Sequence, residues 1–294
     1  MLWAILAFGG AALDAGYYAL AKRSLASVAD EVLAAGTFLA ASVILLLISL
    51  TRGVPAISSA LVQPVIITGT INIVAAALVF FTLRRTDLSL AVPIITFTLV
   101  FLAGTSYLVL GEVPTVAGIA GIFLIVIGAF VIQLSPGGSG LSYPWDRARW
   151  KGAATMLGVA FLYSLSLPFD KAVVLASDAI FGSGLVCLYI GGAFLLIALV
   201  RGSWTRILPG AAISASLALG LVLAGETVAI NLAYTLQIVP YVIAVKRLSI
   251  LFSVLIGGIV FREGGIRYRI LGALIMIGGV ALIVLTTVPG SILS

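Results

Sequence analysis

Residues 116–134 read VAGIAGIFLIVIGAFVIQL, and residues 135–140 continue as SPGGSG. In the first run Gln133 is the only polar side chain, and at 1.5 Å of rise per residue a helix of this length crosses the hydrocarbon core of a bilayer. The second run holds the turn residues that end helices and form linkers. Outward from this boundary, the same alternation of long apolar runs and short polar connectors fills the chain. Hydropathy predicts spans over 2–20, 32–50, 61–83, 88–108, 116–134, 152–169, 179–200, 211–234, 240–261 and 270–288. Ten helices of that length take up most of the 294 residues and leave no room for a soluble domain. A hydrophobic share of 62% and a charged share of 9% agree with this, as does a mean hydropathy of +1.29. The expected fold class is an all-α membrane protein with ten transmembrane helices. Ala11-Ala12-Leu13-Asp14-Ala15 has the small residues of a signal-peptide cleavage site, but no basic stretch precedes it, so residues 2–20 read as the first span.

Composition removes several classes of chemistry. The chain has no histidine and a single cysteine, Cys187, which excludes imidazole metal sites, Ser-His-Asp triads and an internal disulfide. No cofactor or metal is expected, and a membrane-embedded enzyme is the disfavoured alternative. The net charge of +6 is spread between apolar runs rather than gathered on one face, so it does not mark a nucleic-acid surface. It reports orientation instead. Twelve Lys and Arg residues, among them Lys22, Arg84, Lys151 and Arg262, fall in the odd-numbered connections, against Arg52 and Lys171 in the even ones. The positive-inside rule then predicts a multi-pass protein of the plasma (inner) membrane with both termini outside.

The linker falls near the midpoint, which suggests a repeat. A shift of 149 residues places Arg52-Gly53 on Arg201-Gly202 and Lys22 on Lys171; a shift of 151 places Glu112, Gly121 and Gly128 on Glu263, Gly272 and Gly279. Five spans per half force the second copy upside down relative to the first. The expected organisation is therefore residues 1–134 as one five-helix repeat, 135–151 as a cytoplasmic linker with Trp145 and Trp150, and 152–294 as the inverted copy. One polypeptide holding both copies is sufficient as a monomer and permits a dimer.

The pattern Leu88-Ser89-Leu90-Ala91-Val92-Pro93, then Leu110-Gly111-Glu112, Gly118, Gly121 and Gly128, resembles the half-repeat signature of ten-helix EamA-type proteins in the drug/metabolite transporter superfamily. Val239-Pro240, Lys246-Arg247-Leu248-Ser249, Phe261-Arg262-Glu263, Gly272 and Gly278-Gly279 repeat it. The second copy departs at Arg262, where the first has Gly111, and at Gly264-Gly265, where the first has Val113-Pro114. The resemblance implies a transporter of small organic metabolites, often an exporter of amino acids, with a cavity between the two halves.

Ionisable groups at membrane depth cost roughly 2.5–3.5 kcal/mol each, so each needs a partner or a wet cavity. Asp14, Glu226, Lys246 and Arg247 are such groups. Counting rise along the helices puts Glu226 and Lys246 at nearly one depth, a candidate ion pair, and leaves Asp14 as the unpaired carboxylate and candidate proton carrier. The pair reads either as a structural bridge or as a cavity wall on which an amino acid places its carboxylate on Lys246 or Arg247 and its ammonium on Glu226 or Asp14. Tyr17 or Tyr18, one turn after Asp14, offers it a hydroxyl. Asn72 and Asn231 suit either a solute or an interhelical amide bond. Tyr163, Tyr189 and Tyr241 are candidates for an aromatic wall, Tyr163 being the one well inside a span. Glu112 and Glu263 read as caps of the helices that follow them, the glycines of 116–134 and 270–288 as a packing seam or dimer contact, and Pro93, Pro168 and Pro240 as hinges. The function expected is a secondary carrier of a small-molecule substrate, by export or exchange with alternating access. An amino acid, aromatic ones included, is the first candidate, and a phosphorylated or lipid-linked sugar is the alternative.

Overall fold

The structure is a computed structural model that describes residues 1–55, 57–85, 94–134, 147–203, 210–252 and 266–287. Pro93, the 135–140 stretch with Trp145, and Arg262 to Gly265 including Glu263 lie outside them. The elements in chain order are α1 (Leu2–Ser24), α2 (Asp30–Arg52), a 3-10 turn (Ser59–Leu61), α3 (Val62–Arg85), a 3-10 turn (Ile95–Phe97), α4 (Thr98–Leu110), α5 (Val116–Gln133), α6 (Arg147–Ala176), α7 (Phe181–Val200), α8 (Gly210–Tyr234), α9 (Val239–Lys246) and α10 (Ile266–Thr286). There is no strand among the described residues. Among the described residues seven helices are long and apolar enough to cross a membrane, and residues 95–110 and 116–132 form shorter apolar helices.

Helix ends follow local chemistry. Asp30 and Glu31 open α2, acids at the positive end of the helix dipole, and Gly53 at φ 92° ends it. Gly111, left-handed at φ 70°, ends α4, a conformation in which an L side chain is strained. Thr115 caps α5, its Oγ1 accepting the Gly118 N–H at 3.0 Å, so the cap expected of Glu112 is supplied by Thr115. Asp178 Oδ1 accepts the Ile180 and Phe181 N–H groups at 2.6 and 2.7 Å where α7 begins. Pro240 lies in the first turn of α9, where a missing N–H costs nothing; it starts a helix rather than hinging one.

Two helices differ in extent from their apolar runs. α6 continues past residue 169 to Ala176, with Pro168 inside it. Proline has no N–H to offer the carbonyl of Ser164, four residues back; Thr105 Oγ1 on α4 donates to that oxygen instead, at 2.5 Å. The helix survives its proline because a neighbour satisfies the freed carbonyl. α9, by contrast, stops at Lys246. Past it the backbone tightens, with Leu248 N–H donating to Val245 O at 3.0 Å and Ile250 N–H to Arg247 O at 3.2 Å, before residues 249–252 turn helical again. The 151-residue shift lays this break, 246–248, on the 3-10 turn Ile95–Phe97 that precedes α4.

Lipid gives helices no hydrophobic reason to associate, so close packing and hydrogen bonds hold them. α5 and α10 cross at glycine. A Cβ added at Gly121 would lie 2.7 Å from Gly279 O, and one at Gly128 would lie 2.6 Å from Gly272 O. The small-residue seam is thus a contact within the chain. α2 and α7 pack at Gly184 and Gly191 against Leu46 and Leu39, with Ser42 Oγ donating to Gly184 O at 2.9 Å. Other pairings come in exchanged couples: α1 packs on α8 as α6 does on α3, α2 on α8 as α7 on α3, and α1 on α9 as α6 on α4. Leu47, Leu221 and Leu274 are exposed on the outer faces, as lipid-facing side chains must be.

Candidate functional site

A cavity of about 180 Å³ opens among α1, α2, α3, α6, α7, α8 and α9. Asp14, Tyr17 and Tyr18 reach it from α1, Asn72 from α3 and Tyr163 from α6. Glu226 reaches it from α8, and Lys246 and Arg247 from the broken end of α9. These eight sequence candidates, and Asn231 with them, line one space.

Lys246 is the hub of its charges. Its Nζ stands 2.5 Å from Glu226 Oε1 and 3.5 Å from Asp14 Oδ1. The bridge between α8 and α9 is present, but Asp14 is not the isolated carboxylate that depth counting gave. That count followed helix rise alone and left out the reach of a four-methylene lysine stem. Asp14 Oδ2 has no hydrogen-bond partner, and no tyrosine hydroxyl holds Asp14 among the described residues; Tyr17 and Tyr18 instead stack edge to face at 5.8 Å. Arg247 is 5% exposed, and its Nε has no hydrogen-bond partner. No carboxylate pairs with Arg247 among the described residues. The α9 break sets it there: with φ −65° and ψ −9° it forms the corner between two helical segments, near the negative end of the first.

The amides hold neighbours. Asn72 Nδ2 donates to Thr68 O and Thr68 Oγ1, both at 3.0 Å, within its own helix. Thr68 Oγ1 donates to Asp170 Oδ1 on α6 at 2.5 Å. Asn231 Nδ2 donates to Ser183 Oγ at 2.6 Å and so makes the interhelical amide bond between α8 and α7. Tyr189 and Tyr241 do not line the cavity. Tyr189 lies against α3, its hydroxyl 3.2 Å from Thr70 Oγ1, and the Tyr241 hydroxyl accepts the Thr115 N–H at 2.9 Å. Both are spent on helix contacts by their polar tips.

Asp170 and Tyr234 line the cavity without having been marked in the sequence. Asp170 stood just past the expected end of its span, where an acid reads as a loop residue. Hydropathy ends that span at 169 and Pro168 reads as a hinge within it, whereas the helix runs on to Ala176. Beside it, Lys171 Nζ donates to Glu112 Oε1 at 2.6 Å and Gln237 O at 2.8 Å. Glu112 Oε2 accepts from Ser106 Oγ at 2.6 Å and Val239 N–H at 2.8 Å. Glu112 therefore ties the end of α4 to α6 and to the start of α9. Lys22, the counterpart of Lys171, donates to Leu83 O near the end of α3.

Residues 1–134 match the sequence model of the EamA-like transporter family. A search of curated protein sequences gives no match. One solved crystal structure, titled only as that of a protein, superposes with a TM-score of 0.75 over 95% of each chain at 17% identity, so the whole chain shares its fold. The chain is an all-α, multi-pass membrane protein.

Proposed function

We propose, for a chain whose first 134 residues are of a transporter family, that it is a secondary carrier of a zwitterionic solute, an amino acid, working by alternating access between two inverted five-helix repeats. The observation that carries the substrate class is Arg247, a buried guanidinium without a carboxylate partner among the described residues, on the same cavity as an Asp14 oxygen without a hydrogen-bond partner. The guanidinium takes the solute carboxylate in a bidentate fork. The ammonium goes to Asp14, whose hold on Lys246 is the looser of the two contacts at 3.5 Å. About 180 Å³ lies below the roughly 300–1,000 Å³ of pockets for drug-sized ligands and suits a small metabolite. A phosphorylated sugar would bring a multiply charged anion to a wall that already holds three carboxylates, which favours the zwitterion.

The exchanged helix pairings and the two backbone breaks 151 residues apart support the inverted repeats, since discontinuous helices in equivalent places of two halves mark transporter sites. Counterflow in proteoliposomes with labelled amino acids tests the reading. Wild type exchanges an amino acid, and Arg247→Met lowers its affinity about tenfold or more, the loss of a charge-assisted pair. Counterflow of a sugar phosphate with none of any amino acid would overturn it.

A further inference from the structure

Three carboxylates, Asp14, Asp170 and Glu226, share the cavity wall with two cations, Lys246 and Arg247. One negative charge is left over among the lining residues. Lys246 is committed to Glu226 and Asp14, and Arg247 receives the solute carboxylate on the reading above. Asp170 is the lining carboxylate that makes no salt bridge among the described residues. The Thr68 hydroxyl donates to its Oδ1 and itself accepts from Asn72, which turns the hydroxyl proton toward Asp170. A neutral hydrogen bond orients a carboxylate and leaves its charge in place. Such a charge at membrane depth needs a counterion.

The position of Asp170 says what kind. Tyr163, Leu167 and Asp170 follow one another at helical spacing on α6 and all line the cavity. Asp170 lies seven residues beyond Tyr163 on the same helix, about 10 Å of rise. A two-carbon zwitterion held by Arg247 and Asp14 stops short of it. A chain of several methylenes laid along Tyr163 and Leu167 reaches.

We infer that Asp170 binds a second positive charge on the solute, so that the carrier selects basic amino acids, those with a terminal ammonium several methylenes from the α-carbon. This rests on the zwitterion reading: the α-groups sit on Arg247 and Asp14, and the distal ammonium sits on Asp170. A solute of net charge +1 then brings the occupied cavity to neutrality.

Lysine and norleucine differ only in the distal ammonium, and their competition in proteoliposome counterflow tests the inference. Wild type favours lysine by about tenfold or more, the scale of a charge-assisted hydrogen bond out of water. Asp170→Asn brings the two within about threefold, and Asp170→Glu keeps the lysine preference, which separates a lost charge from a misfolded helix. Exchange of norleucine with no preference for lysine, or a preference that persists in Asp170→Asn, overturns the inference and leaves the zwitterion reading standing. If neither compound exchanges, the inference falls, and counterflow of the remaining amino acids decides the zwitterion reading separately.

Discussion

Lys246 holds two carboxylates at once, and its removal exposes what a buried charge costs. With methionine there, Glu226 and Asp14, 6% and 4% exposed, would share the cavity with no ammonium between them. Removing one partner of a buried ion pair costs about 3–5 kcal/mol, far more than the pair contributes relative to apolar groups. Lys246→Met therefore lowers the unfolding temperature in detergent clearly, and adding Glu226→Gln returns part of the loss. A double variant no more stable than the single one would show that the pair is not the source. The same residue shows where sequence reading succeeds and where it stops. Ionisable residues inside apolar runs are legible because lipid penalises them, and that marked Asp14, Glu226, Lys246 and Arg247. Who pairs with whom was only partly legible, because the long reach of a side chain erases differences in depth. Asp170 was missed for a related reason: at the edge of an apolar run, hydropathy does not separate a loop acid from one held by another helix's hydroxyl.

At the scale of elements, the glycines of α5 and α10 decide whether two helices can meet. A side chain at Gly128 would have to displace the Gly272 carbonyl and the Met276 stem, and backbone does not yield as a flexible side chain does. Gly128→Val is expected to abolish folded protein, read as loss of the monodisperse peak in detergent chromatography. Gly158→Ala, where a Cβ meets nothing within 4 Å, is expected to leave that peak intact and to match or exceed wild-type stability, since alanine is the better helix former. Equal tolerance at both positions would remove the seam as a packing determinant. This seam was readable, since small residues at helical spacing have few other uses in a membrane. The break after Lys246 was not. Lys246-Arg247-Leu248-Ser249 contains neither Gly nor Pro, so no local breaker announces the turn. Nor was the way α6 accommodates Pro168 readable, because the group that satisfies Ser164 O is a threonine 59 residues away.

At the scale of the molecule, the distribution of Lys and Arg predicts an orientation with both termini outside. Ser27, between α1 and α2, and Ile57, between α2 and α3, are both exposed, and the native Cys187 is buried. With both termini outside, Ser27→Cys reacts with a membrane-impermeant maleimide only from the cytoplasmic side, and Ile57→Cys only from the outside. The reverse pattern would invert the assignment. Ten apolar runs were enough to give the number of helices, because spanning length is fixed by the bilayer and not by the partner helix. Which helix packs on which was beyond that reading, apart from what the sparse repeat implied.

The crossing of α5 and α10 has one more consequence. Backbone oxygen faces backbone there, at Gly121 with Gly279 and at Gly128 with Gly272, so no rotamer is available to absorb a shift. Around these backbone contacts pack the side chains of Ile125, Ile132, Met276 and Ile283. Neither α5 nor α10 lines the cavity, so on the alternating-access reading proposed above a pivot at this crossing would stand to one side of the solute, and a small rotation there would become a larger displacement at the cavity.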